Sequence, residues 1–117
     1  MTGQPVLDEA ALVRLRRIGG PDLVRRLIEL YLSNVEDRID MLTRGVAEGD
    51  ASQVELAAHT MKSSAGNVGA IRLQHTAEAL EASAGSGAID KQLVARLVHE
   101  LEESAVALRQ ALEEQAS

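Results

Sequence analysis

Apolar residues recur at spacings of three and four along nearly the whole chain, the signature of helices that each bury one face. Leu12, Leu15 and Ile18 follow Asp8, a residue suited to capping a helix start, and this short run ends at Gly19-Gly20. Pro21, favoured at a first helical position, and Asp22 open a longer helix to about Glu48, carried by Val24, Ile28, Tyr31, Val35, Ile39, Leu42 and Val46. Leu23, Leu27 and Leu30 form an extra apolar row beside that stripe. The row needs a cover, and the short first helix is the available one. After Gly49, Asp50 with Gln53 three residues on reads as a capping-box variant that starts a third helix, expected over about 50–66, with Gly66-Asn67 and Gly69 marking its end. A fourth helix turns Ile71, Leu73, Ala77, Leu80 and Ala84 inward and runs to Gly85-Ser86-Gly87-Ala88. Asp90 caps a fifth, with Leu93, Leu97, Leu101, Ala105, Leu108 and Leu112 on its inner side. Short connections make neighbouring helices antiparallel. The expected fold is therefore all-α, an antiparallel up-down four-helix bundle with an additional short N-terminal helix, in a single domain over 1–117.

Composition narrows the function. The chain has 117 residues and a formal charge of −6, with one tyrosine and no phenylalanine or tryptophan. A nucleic-acid surface needs cations for phosphates and aromatic platforms for bases, so nucleic acid is not an expected partner. With no cysteine there is neither a disulfide framework nor a thiolate metal site. No apolar run approaches the roughly 20 residues of a membrane span, and Met1-Thr2-Gly3-Gln4-Pro5 lacks the basic and apolar regions of a signal peptide. A cytoplasmic protein, monomeric and not associated with membranes, is the expectation.

The candidate chemistry lies on the third helix, whose sequence from Ala58 reads Ala58-His59-Thr60-Met61-Lys62-Ser63-Ser64-Ala65-Gly66-Asn67-Val68-Gly69-Ala70. Winding it at about 100° per residue gathers Val54, Ala57, Ala58, Met61, Ala65 and Val68 on one apolar arc and sets His59 opposite, in water, beside Glu55, Lys62, Ser63 and Gly66. A solvated imidazole is neutral for much of its population near pH 7, so one ring nitrogen can attack an electrophile. A lysine one turn on can neutralise charge delivered there. Small side chains at Ser63 and Gly66 leave room for something large, and Leu56, about 60° from His59, is an apolar residue expected to be partly exposed on the same face.

These residues resemble the histidine-containing phosphotransfer (HPt) domains of multistep two-component phosphorelays. The family pattern His-x-x-Lys-Gly/Ser, then small residues, then Gly-Ala before the next helix, is met by His59, Lys62, Ser63, Gly69 and Ala70, and Ala77-x-x-Leu80-Glu81 is similar to the family's following helix. The resemblance covers nearly the whole chain. Ser63 stands where glycine is commoner, and the long helix lacks the usual phenylalanine. By position the resemblance implies that His59 is the phosphoacceptor and Lys62 its charge partner; Leu56, Ser63, Gly66 and Asn67 are the residues expected at the docking surface. The implied partners are receiver domains of response regulators and hybrid histidine kinases. The implied chain has no intrinsic cofactor, the receiver supplying magnesium and the acceptor carboxylate.

Two other function classes compete. One is the phosphoacceptor domain of a histidine kinase. The dimerisation helix of ordinary kinases has an acidic residue after the histidine and a proline soon after, whereas Thr60 follows His59 and no proline occurs beyond Pro21. The HPt-like phosphoacceptor domain of chemotaxis-type kinases stays open at this level. The other class is an interaction module that has lost transfer, against which stand both His59 and Lys62. With no Gly-rich nucleotide loop in the chain, an ATP-using enzyme is not expected. His75 and His99 lack a lysine and small-residue setting and are read as ordinary surface residues, Arg14, Arg16, Arg17, Arg25 and Arg26 as a solvated flank, and Tyr31 as core.

Overall fold

A computed structural model describes residues 5–116, so Met1–Gln4, read above for targeting features, lie outside the described residues. Five helices follow in order: α1 (Glu9–Ser33), α2 (Val35–Ala47), α3 (Ala51–Val68), α4 (Ile71–Gly85) and α5 (Lys91–Ala116). α3 and α4 share the most extensive contact, α5 closes against α4, and α1 and α2 lie against both α3 and α5. This is the expected antiparallel four-helix bundle with its N-terminal extension.

The expected punctuation holds at most joints. Asp8 accepts from the Ala10 N–H at 3.1 Å, Asp50 from Gln53 N–H at 3.1 Å, and Asp90 from the N–H groups of Gln92 and Leu93 at 3.0 and 3.1 Å. The Asp50 box is only half made, because the Gln53 amide donates instead to the Met41 carbonyl at 2.9 Å and so ties α3 back to α2. α3 runs two residues past its expected end, to a left-handed Gly69 (φ 74°). A Cβ there would stand 3.0 Å from both the Ala11 Cβ and the Asp8 carbonyl oxygen, while the Gly69 carbonyl accepts from the Asp8 N–H at 2.7 Å. Gly69 therefore both stops α3 and lets the start of α1 press against it.

The first two helices differ from expectation at both ends. No loop separates the short helix from the long one, since Gly20 at φ 75° makes a kink inside α1 and Pro21 restarts it. The long helix, expected to run unbroken to Glu48, is interrupted at Asn34, where the Ser33 hydroxyl and the Asn34 amide both donate to the Leu30 carbonyl, at 2.8 and 3.0 Å. Such local side-chain bonds compete with the helical ladder.

All six residues of the α3 arc are buried, as are Val24, Ile28, Tyr31 and Leu42 before it, Leu73, Ala77, Leu80 and Ala84 on α4, and Leu97, Leu101, Ala105 and Leu108 on α5. The extra row on α1 is only partly covered. Leu27 packs against the core together with Leu15 of the short arm, but Leu30 stays 61% exposed. Tyr31 bridges α1 to α5: the Ser104 hydroxyl donates to Leu101 O at 2.7 Å, which leaves its oxygen to accept from the Tyr31 O–H, also at 2.7 Å.

Candidate functional site

α3 owes its exposed strip to its own periodicity. Once Val54, Ala57, Ala58, Met61, Ala65 and Val68 are buried, His59, Ser63, Gly66 and Asn67 are left in solvent with Leu56 beside them at 55% exposure. Nothing in the interior demands glycine at position 66. Its φ is not positive, and an added Cβ would make ordinary contact with the Gln74 amide at 3.4 Å. A helical glycine costs about 1 kcal/mol relative to alanine, and interior packing does not account for this one.

His59 has a 56% exposed side chain, and its ring is not free to spin. Glu81, on the outward side of α4, places Oε2 2.8 Å from His59 Nδ1 and Oε1 2.7 Å from Lys62 Nζ. One carboxylate thus joins the two residues that the sequence singled out. An ionised carboxylate can only accept, so Nδ1 carries the hydrogen and donates it, and in the neutral ring the lone pair is on Nε2. The hydrogen bond from Lys62 is the largest influence holding the Glu81 carboxyl below its ordinary range, with His59 adding to it against partial desolvation. The same contact raises Lys62, with Glu78 contributing a further attraction. Glu81 therefore stays ionised throughout the neutral range. Lys62 leans on α4 and does not extend alone into solvent.

In sequence, Glu81 stands out only as part of a helix pattern. Its role depends on α3 and α4 lying side by side, and its position next to the buried Leu80 was the available signal. Asn67 belongs to the exposed strip but is turned about 80° from His59, toward α1. It borders two cavities, one shared with Arg14, Ile18 and Gly66, the other with Arg38 and Ser64. His75 is exposed at a groove between α4 and α5, and His99 is 71% exposed with Nε2 3.6 Å from Glu103 Oε2. Neither joins the His59 site. Among the described residues, no helix is long and apolar enough to cross a membrane.

The model of the Hpt domain family matches residues 26–116, a stretch that includes α2, α3, α4, α5 and α1 from Arg26 onward. A crystal structure of histidine-containing phosphotransfer protein B (HptB) from Pseudomonas aeruginosa PAO1 is similar to this chain at a TM-score of 0.86, with 24% sequence identity over 96% of this chain and 98% of that one. No curated protein matches the sequence.

Proposed function

Because this chain belongs to the Hpt domain family, and so has a histidine phosphotransfer role in phosphorelays, we propose that it carries a phosphoryl group from the aspartate of one receiver domain to that of another, with His59 as the acceptor. The observation that supports His59 most directly is the 2.8 Å bond from its Nδ1–H to Glu81, which leaves the lone pair of the neutral ring on Nε2 in a side chain that is 56% exposed.

In this reading Nε2 attacks the phosphorus of an aspartyl phosphate. The N–P bond forms as the P–O bond to the aspartate breaks, and the electron pair leaves on that carboxylate. Positive charge develops on the ring during attack, and Glu81 facing Nδ1–H stabilises it without having to take the proton. In the onward step a second aspartate attacks phosphorus, the N–P bond breaks, and its electrons return to Nε2. Phosphoryl transfer depends mostly on positioning and on charge stabilisation. Lys62 has donors to spare beyond the one engaged by Glu81 and is placed to hold a phosphoryl oxygen. Magnesium and the reacting carboxylates come from the receivers, and Leu56, Ser63, Gly66 and Asn67 form the face on which they sit. The chain is a carrier with no turnover of its own.

A phosphotransfer profile tests this. Receiver domains labelled by acetyl phosphate are mixed briefly with the purified chain, and label is expected to move from a subset of them to the chain. Incubation with magnesium and ATP alone is expected to leave it unlabelled. Stoichiometric labelling from ATP would replace the carrier reading with a kinase, and a failure of every receiver to label the chain would remove the receiver-to-receiver role.

A further inference from the structure

Arg38, on α2, is the feature that the transfer chemistry leaves unexplained. Its Nε is buried without a hydrogen-bond partner, and among the described residues no carboxylate pairs with its side chain. The nearest acidic residues in sequence, Glu36, Asp37 and Asp40, are exposed and make no ion pair with it. Arg38 lines a cavity of about 110 Å³ at the Asn34 interruption, together with Leu30, Tyr31, Met61 and Val68 and with Ser64 and Asn67. The rest of the Arg38 side chain is partly exposed, so a partner that covers this cation against apolar walls without a counter-charge meets a desolvation cost that an anion would offset.

The cavity lies within reach of anything that covers His59. Ser64 and Asn67 are five and eight residues along α3 from it, about 7 and 12 Å at the helical rise. An interface of standard size buries about 800 Å² on each partner, equivalent to a disc of about 16 Å radius. Asn67 is common to the exposed strip and to the cavity edge. Volume, walls and charge together suit one acidic side chain, its methylenes against Leu30 and Met61 and its carboxylate on the guanidinium.

We infer that this cavity is a second anchor of the receiver interface, taking a glutamate or aspartate side chain from the docking face of the receiver onto Arg38 while His59 meets the phosphoaspartate. The inference rests on the phosphotransfer reading above. It assigns partner choice to α2, on the opposite flank of His59 from the Glu81 and Lys62 fork.

The test uses a receiver that labels the parent chain, with initial transfer rates measured against receiver concentration. Removing one side of a desolvated charge pair acts on complex stability, so Arg38→Gln is expected to raise the half-saturating concentration about threefold and Arg38→Glu about tenfold or more, with plateau rates within about twofold of the parent. Arg38→Lys is expected to lie between parent and Arg38→Gln, and added salt to weaken the parent more than Arg38→Gln. Circular dichroism melting verifies that each variant is folded. Unchanged concentration dependence in a folded Arg38→Glu chain overturns the anchor and leaves the transfer reading intact. A fall in plateau rate alone, or a parent dimer that Arg38→Glu dissociates, also overturns it. If no receiver labels the parent, both readings fall together.

Discussion

His59→Gln is expected to abolish labelling by every competent receiver, whereas His75→Gln and His99→Gln are labelled like the parent. All three histidines are exposed, so access does not separate them. The difference is in how each ring is held. At His59 a carboxylate 2.8 Å from Nδ1 fixes the tautomer and orientation, and a lysine is bound to the same carboxylate. At His99 the nearest carboxylate oxygen is 3.6 Å from Nε2, beyond a hydrogen bond, and it faces the nitrogen that would have to attack. Glutamine keeps a polar side chain of similar reach and has no nucleophilic nitrogen. Exposed substitutions of this kind change stability within about 0.5 kcal/mol, and an exposed pair such as His59 with Glu81 adds at most about 1 kcal/mol, so the bundle stays folded. Filter-bound label after acid-free quenching, together with a thermal melt, measures both. Label persisting on the His59→Gln chain sinks the assignment.

Ser63→Trp is expected to lower receiver-mediated transfer by about a hundredfold or more while phosphoramidate, a donor of a few atoms, still labels His59. Ser63 is exposed on α3, about 40° around from His59, so an indole there faces solvent and leaves the buried arc untouched. The indole stands where the rim of a receiver must close to bring its aspartate in line, and a misplacement of about 1 Å can cost a hundredfold. The two donors separate loss of docking from loss of the nucleophile. Transfer from the receiver at the parental rate would place the docking face elsewhere, even with His59 as acceptor.

The sequence was most legible where structure is local. The six-residue arc of α3 and the three aspartate caps follow from periodicity and from single-residue conformational preference, and all appear in the fold, while α3 passes its expected end near Gly66 and stops at Gly69. The break at Asn34 was hidden because the apolar stripe passes straight through it: Tyr31 and Val35 keep their spacing of four whether or not the ladder between them is intact. Leu30 shares a row with Leu27 and so looks covered in sequence, but a row says nothing of where the short arm of α1 lies. Glu81 and Arg38 were harder still. Each is a charged residue on an amphipathic helix, and each acquires its meaning from the neighbour that the fold brings alongside, α3 in both cases. Partnership across helices leaves no trace in the spacing of one helix.

The hydrogen bond between Tyr31 and Ser104 has a spectroscopic consequence. With no tryptophan and one tyrosine, the near-ultraviolet signal of the chain belongs to a single ring, 7% exposed in the bundle interior. Burial pushes its hydroxyl from 10.0 up to about 12, the bond to Ser104 offsetting part of the effect. Below pH 10 both folded and unfolded chains hold the phenolic proton. Between 10 and about 12 the unfolded chain gives it up first, so tyrosinate absorbance reads the unfolded fraction and stability falls with rising pH, by about 3 kcal/mol for a shift of this size. The same ring forms part of the wall beside Arg38. Its emission is therefore expected to report whether a carboxylate seats in that cavity, without any dye attached to the protein.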